Sequence, residues 1–120
     1  MEPRIDGAKT NARQSNRVPA FDSVDLLQSR KQAALKNPLP LGEVVLTPGA
    51  LEVVGPGDLQ IALSRHSAGD WGEVGRDQWL RNDLAAISGL RISSVYTSAR
   101  REQFEITTEA DRSITTVSGS

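Results

Sequence analysis

The sequence predicts an α+β fold, with short helices packed on one face of a C-terminal antiparallel sheet of three to four strands. Helix start and stop signals fill residues 22–88, while 90–117 are rich in Ile, Val, Thr, Tyr and Phe broken by turn residues. Helices and strands come in two blocks rather than alternating, the order of an α+β and not a doubly wound fold. At 120 residues the chain has room for one modest core.

Three regions are expected: a basic arm over 1–20, a helix with a Pro-rich linker over 21–40, and a compact domain over 41–120. Residues 1–20 are polar and cannot bury enough surface to offset the entropy of ordering, so a disordered arm is predicted there. A helix follows from about Asp22 to Lys36, capped by Asp22 or Ser23 and ended by Pro38 and Pro40. Its apolar side, Val24, Leu27, Ala34 and Leu35, is narrow and is broken by Lys31, which suggests loose docking or a partner-binding helix.

Glu43 to Leu46 is a short strand candidate. Thr47 caps a brief helix with Pro48 at its first position, and Gly55-Pro56-Gly57 stops it. Asp58 is placed as the cap of the next helix, with Leu59, Ile61, Ala62 and Leu63 as its apolar content and Gly69 closing it. The glycine-rich link 69–75 leads to a helix from Arg76 to Ser88, whose expected buried stripe is Trp79, Leu80, Leu84 and Ile87; Gly89 ends it. Leu90, Ile92 and Tyr96 then fall on one strand face, with Ser94 among them, and Phe104 and Ile106 on another.

Composition excludes several classes. There is no cysteine, which removes disulfides, zinc fingers, iron–sulfur clusters and thiol catalysis. No apolar run exceeds four residues, too short for a membrane helix, and the N-terminus has no apolar core of a secretory signal, so a cytoplasmic location is expected. Residues 1–40 hold seven Lys/Arg against four Asp/Glu, and 41–120 hold seven against eleven: a basic arm on an acidic body. Arg4, Lys9, Arg13 and Arg17 of the arm, with Arg100 and Arg101, could meet phosphate, a thin signal for nucleic acid. No P-loop, dinucleotide fingerprint, nucleophile elbow or zinc-protease helix is present, and no cofactor is expected.

His66 is the single histidine. It is either a helix-terminal group satisfying carbonyls or a proton-transfer group near Asp70 and Glu73. A metal site from His66, Asp70, Glu73 and Asp77 lacks a second imidazole and is not expected. Trp71 between Gly69 and Gly72 reads as a core anchor, or as part of a binding loop in which Asp70 and Glu73 face a partner. Glu109, Asp111 and Arg112 lie in a predicted hairpin turn. If they met His66, they would hold the parts of a metal-free ribonuclease, a base and a phosphate-steadying cation. The simplest arrangement pairs Arg112 with a carboxylate from the helix side, joining helices to sheet.

RHSAGDWGEV at 65–74, Asn82, Ser94-Val95-Tyr96 and ITTEADRSITT at 106–116, with TPGAL at 47–51, resemble a small bacterial family carried on plasmids, prophages and integrative elements. The resemblance spans about residues 41–117, and it departs at Val117-Ser118-Gly119-Ser120, where the family continues with an apolar strand and an aromatic tail. It brings no catalytic residues. It implies an accessory protein of a mobile element, acting by binding a protein, with counter-defence as its use. Asp70, Trp71, Glu73, Asn82 and Tyr96 are the expected binding residues. The acidic body would suit a target with a basic groove. The rival expectations are a metal-independent ribonuclease or toxin using His66 with Glu109, Asp111 and Arg112, and a purely structural small domain.

Overall fold

A computed structural model describes residues 19–119. The elements are α1 (Pro19–Ala34), β1 (Glu43–Leu46), α2 (Pro48–Val53), α3 (Pro56–Ser67), α4 (Arg76–Ser88), β2 (Ile92–Thr97), β3 (Gln103–Thr108) and β4 (Ile114–Gly119). The fold is α+β: helices cover one face of a four-stranded sheet in the order β1-β4-β3-β2. The arm expected over 1–20 falls outside the described residues except for Pro19 and Ala20, which belong to α1.

Strands β2, β3 and β4 form the expected antiparallel meander, but β1 joins β4 in parallel, with Val44 opposite Thr115 and Leu46 opposite Val117. The sheet is therefore mixed. Strand signals in a sequence give alternation and length, whereas direction depends on the three helices that intervene between β1 and the meander.

The covered face of the sheet presents Ile92, Ser94 and Tyr96 from β2, Phe104, Ile106 and Thr108 from β3, and Thr115 and Val117 from β4, all buried. Tyr96, Phe104, Ile106 and Val117 pack with Ala50 of α2 and Ala62 of α3. A second cluster gathers Leu39, Trp71, Ala85 and Ile92. Leu90, expected on the inner strand face, precedes β2 and is exposed.

Helix ends follow their local chemistry. The Thr47 hydroxyl accepts from Ala50 N, capping α2. In α3 the cap is Gly55, and Asp58 sits inside the first turn, where its carboxylate accepts from Gly55 N at 3.1 Å. Gly89 ends α4 at φ 73°, left-handed as a glycine C-terminus requires.

The inner face of α4 differs from its apolar stripe. Asn82, Asp83 and Ala85 are buried and Trp79 half-buried, while Leu80 and Leu84 face out. The reason is polar: Asn82 donates to Ser93 O at 2.7 Å and covers the outer edge of β2, and Asp83 receives the Trp71 indole N–H at 2.8 Å. These paired groups fix the rotation of the helix at the expense of two leucines.

Candidate functional site

His66 lies on α3 with its ring wholly buried between helix and sheet. Its Nδ1 is 2.7 Å from Ser94 Oγ and its Nε2 is 2.9 Å from Thr108 Oγ1. Thr108 Oγ1 in turn lies 2.8 Å from Thr115 Oγ1, and Thr115 donates to Leu41 O at 2.6 Å. A carbonyl only accepts, so the direction of the chain is fixed. Thr115 spends its hydrogen on Leu41, Thr108 donates to Thr115, and His66 Nε2–H donates to Thr108. Nδ1 is then the acceptor for the Ser94 hydroxyl. The ring is the neutral Nε2–H tautomer with both nitrogens engaged, and burial, aided by the Arg112 charge, lowers its pKa to about 4. His66 is thus a fully satisfied core histidine, unable to take a proton from an outside molecule without breaking this chain.

The segment 69–74 wraps the free edge of β2. Gly72 pairs with Val95, Glu73 N donates to Val95 O at 2.7 Å, and Val95 N donates to Trp71 O. Gly72 is at φ 75°, and a Cβ there would collide with Val95 O, so the close approach demands glycine. Trp71 is buried, edge-on to the His66 ring at 5.7 Å between centroids.

The five expected binding residues all make contacts within the fold. Asp70 pairs with Arg65 at 2.9 Å and accepts from Gly72 N, which hold its carboxyl below the usual range. Tyr96 donates to Asp70 O at 2.7 Å, and burial raises its hydroxyl pKa to about 12. Asn82 covers Ser93. Glu73 is exposed and accepts from Thr97 Oγ1 at 2.7 Å.

The 109–112 turn does not meet His66 through hydrogen bonds. Asp111 accepts from Ser113 N and Ser113 Oγ within its own turn, which lowers its pKa. Arg112 does not pair with a carboxylate as expected. It donates to Leu90 O at 2.7 Å, Ala85 O at 3.1 Å and Glu109 O at 3.2 Å. It still joins helix to sheet, but through carbonyls at and just beyond the C-terminal turn of α4, whose partial negative charge attracts a cation; Ala85 O also accepts from Gly89 N and Leu90 N. Glu109 takes part through its backbone, donating N–H to Ile114 O. Among the described residues no hydrogen bond links His66 to Glu109, Asp111 or Arg112, although the Arg112 charge acts on the ring. Among the described residues no group of three or more His, Asp or Glu stands close enough to hold a metal ion, and no helix is long and apolar enough to cross a membrane.

Open surface of another kind lies beside the β2–β3 turn. A cavity of about 230 Å³ is lined by Ile61 and Arg65 of α3, Tyr96, Phe104 and the 97–99 segment. A second, of about 420 Å³, is lined by Leu51 to Pro56 and Arg100. Asp58 and Ala99 line both, so the two adjoin as one groove. Leu51 and Ile61 are the two most exposed large apolar side chains among the described residues, at 67% and 63%, and one lines each half. Ala99 N donates to Asp58 at 3.0 Å and Arg100 donates to Glu52 O at 2.8 Å, which hold the turn against the helices. Sequence periodicity places Ile61 among the apolar content of its helix; nothing in a linear pattern tells which apolar residue of a short helix faces out.

Comparison with protein-family models, with curated proteins and with solved structures finds no match to this chain.

Proposed function

We propose that the chain is a non-enzymatic binding module whose contact surface is the groove between α2, α3 and the β2–β3 turn. The observation that carries this is the placement of Leu51 and Ile61. Apolar side chains this exposed, on adjoining concavities, are what a protein partner covers. Arg65, Arg100, Glu52 and Asp58 give the groove a rim of both signs, suited to orienting a partner. Both ring nitrogens of His66 are bonded within the core, which supports a structural role for this residue over the proton transfer that the ribonuclease alternative asks of it. The motif resemblance supports the narrower reading: an accessory protein of a mobile element that binds a host protein, with counter-defence as its use.

The test is site-specific photo-crosslinking in a bacterial lysate. A crosslinker at Ile61 should yield one defined protein adduct. The same group at Thr116, on the opposite face of the sheet, should not. Equal labelling from both positions, or none from Ile61, would remove the groove as the contact surface.

A further inference from the structure

The Lys31 side chain ends in a set of groups that together make a receptor for an ammonium ion. Its Nζ is 2.7 Å from Asp83 Oδ1 and donates to Gly69 O at 2.9 Å. It stands 5.3 Å from the centroid of the Trp71 ring and 5.5 Å from that of Trp79. A buried carboxylate, a carbonyl and two indole rings are the elements that recognise an alkylammonium. All four come from the 69–83 segment, and two of them have partners other than Lys31. Asp83 is fixed by the Trp71 indole N–H, and Trp71 by the edge of β2. Gly69 adds room: a Cβ at that position would lie 2.9 Å from Lys31 Cε and 2.6 Å from Leu35 Cδ1.

Among the described residues, the helix that carries Lys31 is less buried than Trp71 and Asp83 are. No side chain from Asp25 to Ala34 is fully buried, and α1 packs chiefly on α4. Among the described side chains of α1, Leu27 is half-buried, Lys31 pairs with Asp83, and Gln28 donates to Asp83 Oδ2 at 3.1 Å; half-buried Leu35 follows the helix. A cavity of about 300 Å³ opens beside it, lined by Gln28, Lys31, Gln32, Leu35 and Ala68.

We infer that Gly69, Trp71, Trp79 and Asp83 form a binding site for a primary alkylammonium, filled in cis by Lys31, and that a lysine side chain of a protein partner takes that place when α1 moves aside. The helix is then a latch whose own lysine mimics the ligand. This site is separate from the Leu51–Ile61 groove and does not depend on it.

The probe is n-butylammonium, with n-butanol and sodium chloride as controls. In the Lys31→Met variant, millimolar n-butylammonium should raise the melting temperature by several degrees, and n-butanol should not. The combined Lys31→Met and Asp83→Asn variant should show no such difference. If Lys31→Met does not fold alone, folding restored by n-butylammonium is the supporting result. No ammonium-specific stabilisation, or no restored folding, overturns the site. In the wild-type chain, hydrogen exchange read by mass spectrometry tests the latch. n-Butylammonium should speed exchange in 28–34 and leave α4 and β2 unchanged, and unchanged exchange in 28–34 overturns the displacement of α1.

Discussion

Arg101 and Arg112 occupy the same place in two successive hairpin turns, at φ 67° and 61°, yet only Arg112 has its guanidinium bound to the fold. In each turn the arginine N–H bonds back three residues, to Ser98 O and to Glu109 O. The left-handed conformation costs a non-glycine residue of order 1 kcal/mol. At Arg112 that cost is offset by three hydrogen bonds to the end of α4 and the turn itself. Among the described residues no such bond holds the exposed side chain of Arg101.

Glycine substitution should therefore act in opposite directions. Arg101→Gly relieves strain and loses no bond, and is expected to be neutral to about 1 kcal/mol stabilising. Arg112→Gly frees three carbonyls from a charged donor and should cost about 1–3 kcal/mol. Urea denaturation of both variants reads the two signs. Equal effects would mean that the Arg112 bonds contribute nothing.

His66 should make stability fall in mild acid. The unfolded chain takes up its proton near pH 6.5, the folded chain only near pH 4. Between these values the unfolded state binds more protons, so lowering the pH favours unfolding. This share of stability is complete above about pH 6.5 and is lost as pH falls to 4, a change of about 3 kcal/mol. Denaturation curves at several pH values should show that slope in the wild type, and His66→Gln should flatten it. An unchanged slope in His66→Gln would assign the acid sensitivity to other groups.

Much of this fold is legible in the sequence. Thr47-Pro48, Gly69, Gly89 and the alternation through β2 to β4 act locally, so capping and turn rules place them well. The polar centre is not legible in the same way. Ser94 interrupting Ile92 and Tyr96 was the visible trace of it, but its meaning needs His66 across the interface, and Thr108 and Thr115 on neighbouring strands. Lys31 broke an apolar stripe for the same reason. Its partner Asp83 is far along the chain, and a buried ion pair looks from either end like an exposed charge. On α4, hydrogen bonds to Asn82 and Asp83 outweighed the leucine spacing that periodicity follows.

Trp71 joins these parts, touching His66, Asp83 and the edge of β2. Replacing it with alanine should cost about 3–5 kcal/mol, because it leaves a large cavity and strips a donor from a buried carboxylate. Calorimetric melting measures this. A melting temperature unchanged from wild type would mean that the 69–74 segment is not the structural seam described.

Binding through the groove is tested most directly by titrating the crosslinked partner against three forms of the chain by isothermal calorimetry. Leu51→Glu combined with Ile61→Glu should weaken binding by about 30-fold or more, since apolar anchors at an interface centre are worth upwards of about 2 kcal/mol. Both side chains are largely exposed, so the fold should hold. His66→Gln, measured at pH 7 where circular dichroism shows it folded, should bind as the wild type does. Undiminished affinity in the double variant, or loss of binding in folded His66→Gln, would contradict the account.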